Sequence, residues 1–391
     1  MLEFIRKYKD FSLITLGNFL FQCGFTTFFL LPLFILDLGG DAASIGYIMG
    51  IFGVASVGTA LVSGLLIDRY GQRTFMLIGS FLMFLSSILH LFVVDIGLLI
   101  YILRLLQGVA FGLFFTSAAT AVSYTVPREI RHSCLTTFGI TTIACFAIGP
   151  FFGEILIEEL GYHAFFIYSS SYQVIAFLLC FFTKETNRGE STGPIFQGFF
   201  KILFSDRFSV LFLMNLMIAV SLGALVHFFH VHLEEYGFHI GTFFVIFAVI
   251  AVLIRFFGGK VSDLIERRKI ALPALFLLVL SMPLAFFVSS FSQLVLFSLV
   301  FSIGYGFAYP TINTMVIDRA RAGERGTAVG IFNMSYGTGI NSSAIILGLI
   351  VRDYGFFSMY LSTALFLVVG CVIFAYKYYI TAVMGEQPAL E

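Results

Sequence analysis

About twelve long apolar runs, each bounded by charges or turn residues, dominate this sequence. They fall at roughly 11–36, 43–67, 74–94, 96–124, 134–157, 164–182, 208–233, 240–265, 270–289, 293–317, 326–351 and 358–380. A helix needs about 20 mainly apolar residues to cross a hydrocarbon core of about 30 Å, and each run is long enough to do so. A membrane β-barrel would show alternating segments of about 10 residues instead, whereas these runs are apolar on all sides. Composition agrees. The 391 residues are 59% hydrophobic and only 11% charged, against roughly 25% charged in soluble domains. Such a chain cannot cover its own surface for water, so its solvent is lipid. The zero net charge gives no reason to expect nucleic acid as a partner. The expected fold class is an all-α membrane protein.

Positive charge sets the expected orientation. With the N-terminus inside, the 22 Lys and Arg fall in cytoplasmic segments, except Arg352 in an outer loop and Arg104 and Arg255 inside spans. This asymmetry predicts an even number of spans with both termini in the cytoplasm, in the plasma (inner) membrane. The first apolar run is too long for a signal-peptide core, so no cleaved leader is expected. Cys23, Cys134, Cys145, Cys180 and Cys371 lie in or beside apolar runs without a CxxC pair. They read as reduced packing residues.

The sequence divides into an N-terminal six-helix bundle (1–182), a linker (183–207) and a C-terminal six-helix bundle (208–391). The linker begins polar and ends around Phe199, Phe200, Lys201 and Ile202, which predicts a short amphipathic helix on the inner leaflet. The bundles look duplicated. At a spacing of 195 residues, Gly46 matches Gly241, Gly64 matches Gly259, Asp68 matches Asp263, Arg73 matches Arg268, Glu129 matches Glu324 and Gly153 matches Gly348. Parallel repeats are a known transporter plan, with sites near the midplane at the repeat interface.

Two loops carry the most specific pattern. Gly64, Asp68, Arg69, Gly71 and Arg73 lie between spans two and three; Gly259, Asp263, Arg267 and Arg268 lie between spans eight and nine. Glycine permits close helix approach, and the acid four residues on shares its face, where it can meet a helix N-terminus or an arginine. A bland positive-inside loop would explain one copy, but not two at matching places. These loops resemble the signature of the major facilitator superfamily, and the resemblance spans the whole chain. It implies two pseudo-symmetric six-helix bundles, alternating access, a monomer, and a latch on the inner side formed by these residues. Glu266 stands where the second copy would have its second glycine, so the motif leaves the turn there open.

Two further segments resemble narrower branches of that family. In span four, Arg104, Gln107 and Gly108 are similar to a pattern of proton-coupled members. An arginine in a span is costly and needs a partner; it either serves the substrate or coupling, or ties span four to a neighbour's carbonyls. In span five, Gly149, Pro150 and Gly153 resemble the helix-bend pattern of the drug and metabolite–proton antiporter branch, with Glu154 where a glycine is usual. A plain Gly-Pro kink is the competing reading.

Polar residues in spans are scarce. Asn18 and Gln22 in span one, Arg255 in span eight, Tyr305, Tyr309 and Asn313 in span ten, and Asn333 and Asn341 in span eleven are candidates to line one cavity. Each alone also fits a helix–helix hydrogen bond. His227, His230 and Glu234, at helical spacing, form either a titrating entrance or an interfacial cluster. Glu154, His227 and Arg104 are the proton-coupling candidates, and pairing of Glu154 with Arg104 is open. No P-loop, HExxH or usable GxSxG appears, so no enzyme activity, cofactor or metal is expected. The expected partners are a small molecule, protons and the lipid bilayer. The function implied is proton-coupled efflux of a small amphipathic molecule. The alternatives are an importer or facilitator of a polar or anionic solute and, further off, a membrane enzyme or scramblase-like module. Reporter tags on the two ends should be labelled from the same side of the membrane; labelling from opposite sides would contradict the even span count.

Overall fold

The computed structural model describes residues 7–185, 196–321 and 324–380, with the backbone alone at 64, 65, 68, 69, 128, 132, 196–198, 257–264, 379 and 380. About 90% of it is helix, and no strand occurs among the described residues. Lipid offers the backbone no hydrogen-bond partner, so a spanning segment must satisfy its own N–H and C=O groups, as a helix does.

Span one runs as Lys9–Thr26, a 3-10 turn Thr27–Leu30, and Leu31–Asp37. The 3-10 turn is stitched by side chains, with Thr27 Oγ1 donating to the Gly24 carbonyl at 2.8 Å and Thr26 Oγ1 to the Cys145 carbonyl of span five at 2.8 Å. Spans two, three and four are Ala42–Tyr70, Gln72–Leu89 and Leu98–Thr125. Spans five and six form one helical run, Arg128–Phe181, broken at Gly161. A helix Phe196–Leu203 precedes span seven, which is Ser209–Ala224, a π turn Leu225–Phe229, and His230–Glu234. Spans eight, nine and ten are Ile240–Leu264, Arg267–Phe286 and Phe291–Arg319. Spans eleven and twelve are the run Arg325–Ala375, broken at Gly355. Among the described residues, nine runs are long and apolar enough to cross a membrane, and the two double-length ones are those broken at glycine. Counting each double-length run as two and adding span eight, whose Ile240–Phe256 stretch is a shorter apolar helix, gives twelve apolar helical segments among the described residues.

The two breaks are single residues, not loops. Gly161 has φ 75° and ψ 179°, and Gly355 has φ 77° and ψ 176°. This region of backbone space is essentially restricted to glycine. One residue there reverses the chain between spans five and six and again between eleven and twelve.

Two compact units form. One comprises Met1–Gly193 with His239–Ala248; the other comprises Pro194–Phe238 with Val249–Glu391. The N-terminal unit therefore includes the first residues of span eight. Inside it, span one packs on span five through Gly149, where an added Cβ would lie 2.7 Å from the Cys23 carbonyl. Span three packs on span four through Gly79, where a Cβ would lie 2.8 Å from the Ala110 carbonyl. The C-terminal unit repeats these pairings. Gly339 of span eleven leaves room for only 2.7 Å to the Ala219 Cβ of span seven, and Gly304 of span ten for 3.0 Å to the Ala274 carbonyl of span nine. Small residues let helices approach closely where no hydrophobic force drives them together. Large apolar side chains such as Val54, Phe276 and Val372 stay exposed along the spans, as a lipid-facing surface requires.

Gly161→Ala and Gly355→Ala should each lower stability by about 1–3 kcal/mol, because open space around both leaves backbone strain as the sole cost. Gly58→Ala, at a helical position with equally open space, should be neutral or stabilising by up to about 1 kcal/mol. Thermal unfolding in detergent compares the three variants.

Candidate functional site

Arg104 is the largest side chain buried within the N-terminal unit, at 2% exposure. Its Nη1 donates to Gln107 Oε1 at 2.7 Å, one helical turn away, and its Nε donates to the Ile48 carbonyl at 3.4 Å. Nη2 lies 3.4 Å from Met49 Sδ, and the guanidinium stands 4.9 Å from the centre of the Phe52 ring. Span two thus supplies a carbonyl, a thioether and an aromatic face to the cation of span four. The sequence had left two readings open, and this geometry ties span four to span two. Among the described residues no carboxylate pairs with Arg104. His90, which sequence reasoning passed over, is fully buried in the same unit. Its Nδ1 lies 2.7 Å from the Ser86 carbonyl, and its ring packs on Phe28 and Phe166. His90 lines a small pocket with Phe34, Tyr162, His163 and Phe166. Asn18 is fully buried and donates to Thr142 Oγ1 at 3.0 Å, while Gln22 is buried beside it on span one. Among the remaining polar groups of this unit, Glu154 has the most telling surroundings.

Glu154 does not pair with Arg104. Its Oε1 accepts from the Ile240 N–H at 3.0 Å and its Oε2 from the Gly241 N–H at 2.9 Å. These are the first two residues of span eight, whose N–H groups have no partner within the helix. A carboxylate there is also favoured by the helix dipole. The side chain is only 12% exposed. His239 Nδ1 stands 3.6 Å from Glu154 Oε1 and 3.1 Å from Glu158 Oε1, so one imidazole sits between two acids a helical turn apart. Gly241 permits the approach, since a Cβ there would lie 2.9 Å from the Phe151 Cα and 3.1 Å from Glu154 Oε2. Below this contact, Phe244 packs on Phe29 at 5.6 Å and Phe247 on Phe146 at 6.0 Å. Gly149 and Gly153 let span five lie close to its neighbours, Gly149 against Cys23 and Thr27 of span one and Gly153 against Leu30 of span one and Phe165 of span six, and Pro150 lies within the helix between them.

In the C-terminal unit, Tyr305 and Tyr309 stack at 5.8 Å with a 2° angle between their rings. Tyr305 Oη lies 2.6 Å from Tyr336 Oη, and the Tyr336 ring stands 5.1 Å from that of Tyr309. Span eight packs on span ten beside this cluster, with Ile254, the neighbour of Arg255, against Gly306. Tyr336 was not among the sequence candidates, although it lies beside Gly337 on the span-eleven stripe. Asn313 is partly buried, with a buried Oδ1 that accepts no hydrogen bond. Asn341 turns back to its own helix, donating to the Gly337 carbonyl at 2.6 Å, and Asn333 is exposed. The polar stripe of span eleven is therefore split between these roles.

The helix that carries the span-seven histidines is irregular at His227. The π turn over Leu225–Phe229 inserts an extra residue into the helix, as π turns do at irregular sites. His227 Nε2 lies 3.1 Å from the Ile340 carbonyl of span eleven, whereas His232 Nδ1 lies 3.2 Å from Tyr360 Oη of span twelve. Among the described residues no group of three His, Cys, Asp or Glu is placed to hold a metal ion.

The motif loops bind their own bundle's sixth span. Arg73 Nη2 donates to the Phe181 carbonyl at 2.6 Å, and Arg268 Nη1 to the Tyr378 carbonyl at 2.9 Å. Arg73 N also donates to Glu185 Oε1 at 3.1 Å, and Gly71, at φ 90°, leaves the space that this carboxylate fills. Glu266 adopts φ −55° instead, so the second turn is built differently. Arg268 holds the Glu266 carboxyl below the usual carboxylate range. Arg267 pairs with Asp318. The side chains of Gly64, Asp68, Arg69, Gly259 and Asp263 lie outside the described residues.

The chain matches the Major Facilitator Superfamily over residues 14–254 and 234–389. It is 26% identical over 300 residues to the multi-drug resistance efflux pump PmrA of Streptococcus pneumoniae, covering 73% of this chain and 75% of that one. It is 24% identical over 401 residues to the multidrug resistance protein MdtG of Salmonella arizonae, covering 98% and 97%. The crystal structure of the nucleoside transporter NupG superposes with a TM-score of 0.77 at 16% identity, covering 94% of this chain and 99% of that one. The chain belongs to the Major Facilitator Superfamily, and it is a multi-pass membrane transporter.

Replacing Gln107 by Leu should lower stability by about 1–3 kcal/mol, because a buried guanidinium loses its best acceptor. Gln107→Glu, which restores an acceptor, should recover most of that loss. Denaturant titration of the purified protein checks both.

Proposed function

We propose that this superfamily member works by alternating access as a proton-coupled exporter of a small amphipathic molecule, from the inner membrane with both termini in the cytoplasm. The two distant relatives named for drug efflux support export, as does the span-five pattern around Gly149, Pro150 and Gly153. The observation that carries proton coupling is the seat of Glu154. An ionised carboxylate holds the N-terminus of span eight through two backbone hydrogen bonds. Charge-assisted hydrogen bonds are roughly twice as strong as neutral ones, and the helix dipole adds about 0.3–2 kcal/mol for an anion in such a place. Protonation removes both contributions, so span eight is released from span five. His239 and Glu158 are the titratable groups that face Glu154 from the adjoining segments. His239, when protonated, favours the ionised acid, while Glu158 opposes it.

In this reading the bundles 1–182 and 208–391 are the moving bodies and 183–207 joins them. Arg73 and Arg268 anchor the motif loops to the sixth span of each bundle, and Asp68 and Asp263 complete the latch on that side. Arg104 preserves the packing of span four on span two while the bundle moves. Import of an anionic solute is the second reading, and Arg255 favours it, because it is a cation within a span that forms no ion pair among the described residues.

In proteoliposomes, an imposed pH gradient should drive uphill movement of an amphipathic cation such as ethidium by the wild type. Glu154→Gln should reduce the pH-driven component about tenfold or more and retain downhill exchange. Equal pH-driven transport by wild type and variant would remove Glu154 from coupling.

A further inference from the structure

We infer that the C-terminal unit carries a binding site for a small aromatic anion, built from Arg255 of span eight and the tyrosine cluster of spans ten and eleven. The inference rests on the second transporter reading, that of an anionic solute, and adds a substrate class to it.

Three observations combine. Arg255 is half-buried within a span and has no carboxylate partner among the described residues. A cation in such a position is retained where it meets a counter-charge or lines a cavity. Span eight packs on span ten at this level, the Ile254 side chain lying against Gly306, which sets Arg255 alongside the tyrosine cluster; tyrosines are neutral and do not compensate its charge. Two of the three tyrosine hydroxyls are engaged with each other, Tyr305 and Tyr336 at 2.6 Å. What the cluster offers beside the guanidinium is ring surface.

That surface is ordered. Phe301, Tyr305 and Tyr309 stand one turn apart along span ten, with centroid separations of 5.9 and 5.8 Å and nearly parallel planes for the last pair. Phe332 and Tyr336 of span eleven close on Tyr309 at 5.4 and 5.1 Å. Neighbouring aromatic rings at these distances favour a further planar ring, by offset stacking or edge contact. A guanidinium beside them recognises a carboxylate in a planar, two-pronged geometry that lysine would not reproduce. A ring bearing a carboxylate answers both features at once. A neutral aromatic leaves Arg255 uncompensated, and an aliphatic acid leaves the rings without a partner.

Isothermal titration of the purified full-length protein in detergent at pH 7 separates these contributions, using benzoate, benzamide and cyclohexanecarboxylate as probes. Wild type should bind benzoate about tenfold or more tightly than either other probe. Arg255→Gln should erase the preference for benzoate over benzamide. Tyr309→Leu should erase the preference for benzoate over cyclohexanecarboxylate, while Tyr309→Phe, which keeps the ring, should retain it. Equal affinities in the wild type, no binding of benzoate at millimolar concentration, or preferences that survive in the Gln and Leu variants would overturn the site. An arginine with a purely structural role would show a lowered melting temperature in Arg255→Gln with the probe preferences intact, which also counts against it. Binding in detergent needs no gradient. Failure of pH-driven transport therefore leaves this inference standing, and failure here leaves the transport reading untouched.

Discussion

The backbone's demand for hydrogen bonds in a solvent that supplies none governs this structure. Every described crossing is a helix, and irregular backbone is confined to places where side chains or glycine make it affordable. The 3-10 turn in span one is stitched by Thr26 and Thr27. The reversals at Gly161 and Gly355 use single residues whose conformation other amino acids resist. Close helix pairs then depend on absent side chains, at Gly149 and Gly79 in one unit and at Gly339 and Gly304 in the other.

The same demand explains where polar chemistry is found. A charge in a span persists only with partners, and each in-span charge solves this differently. Arg104 is satisfied locally by Gln107, a carbonyl of span two and the face of Phe52. Glu154 is satisfied by the unpaired N–H groups at the start of span eight. Arg255 is partly buried and has no carboxylate partner among the described residues. The first arrangement is that of a structural tie. The second depends on the charge state of one acid, which makes it suitable for a moving contact. The third is the arrangement from which we infer an anion site.

Much of this was legible in the chain itself. Apolar runs, the 195-residue repeat and the paired motif loops point to the fold, and the superfamily match supports them. The turn at Glu266, which the motif left open, is built differently from that at Gly71, because Glu266 does not adopt the φ of Gly71. Other features lay beyond a one-dimensional reading. The partner of Glu154 is 86 residues away, and nothing in local spacing pairs a span-five acid with a span-eight N-terminus. The π turn at Leu225–Phe229 changes helical phase within span seven, which the α-helical spacing of His227, His230 and Glu234 does not anticipate. Tyr336 escaped because tyrosines are common lipid-interface residues, and its role emerges only beside Tyr305 and Tyr309.

The central claim is that the charge on Glu154 holds span eight against span five. Spin labels at Leu160 and Thr242, with distances measured by electron paramagnetic resonance in reconstituted protein, test it directly. The account predicts a short-distance population at neutral pH that gives way to a longer one as the pH falls, and a longer one at all pH values in Glu154→Gln. A single distance distribution, unchanged by pH and by the substitution, would contradict it.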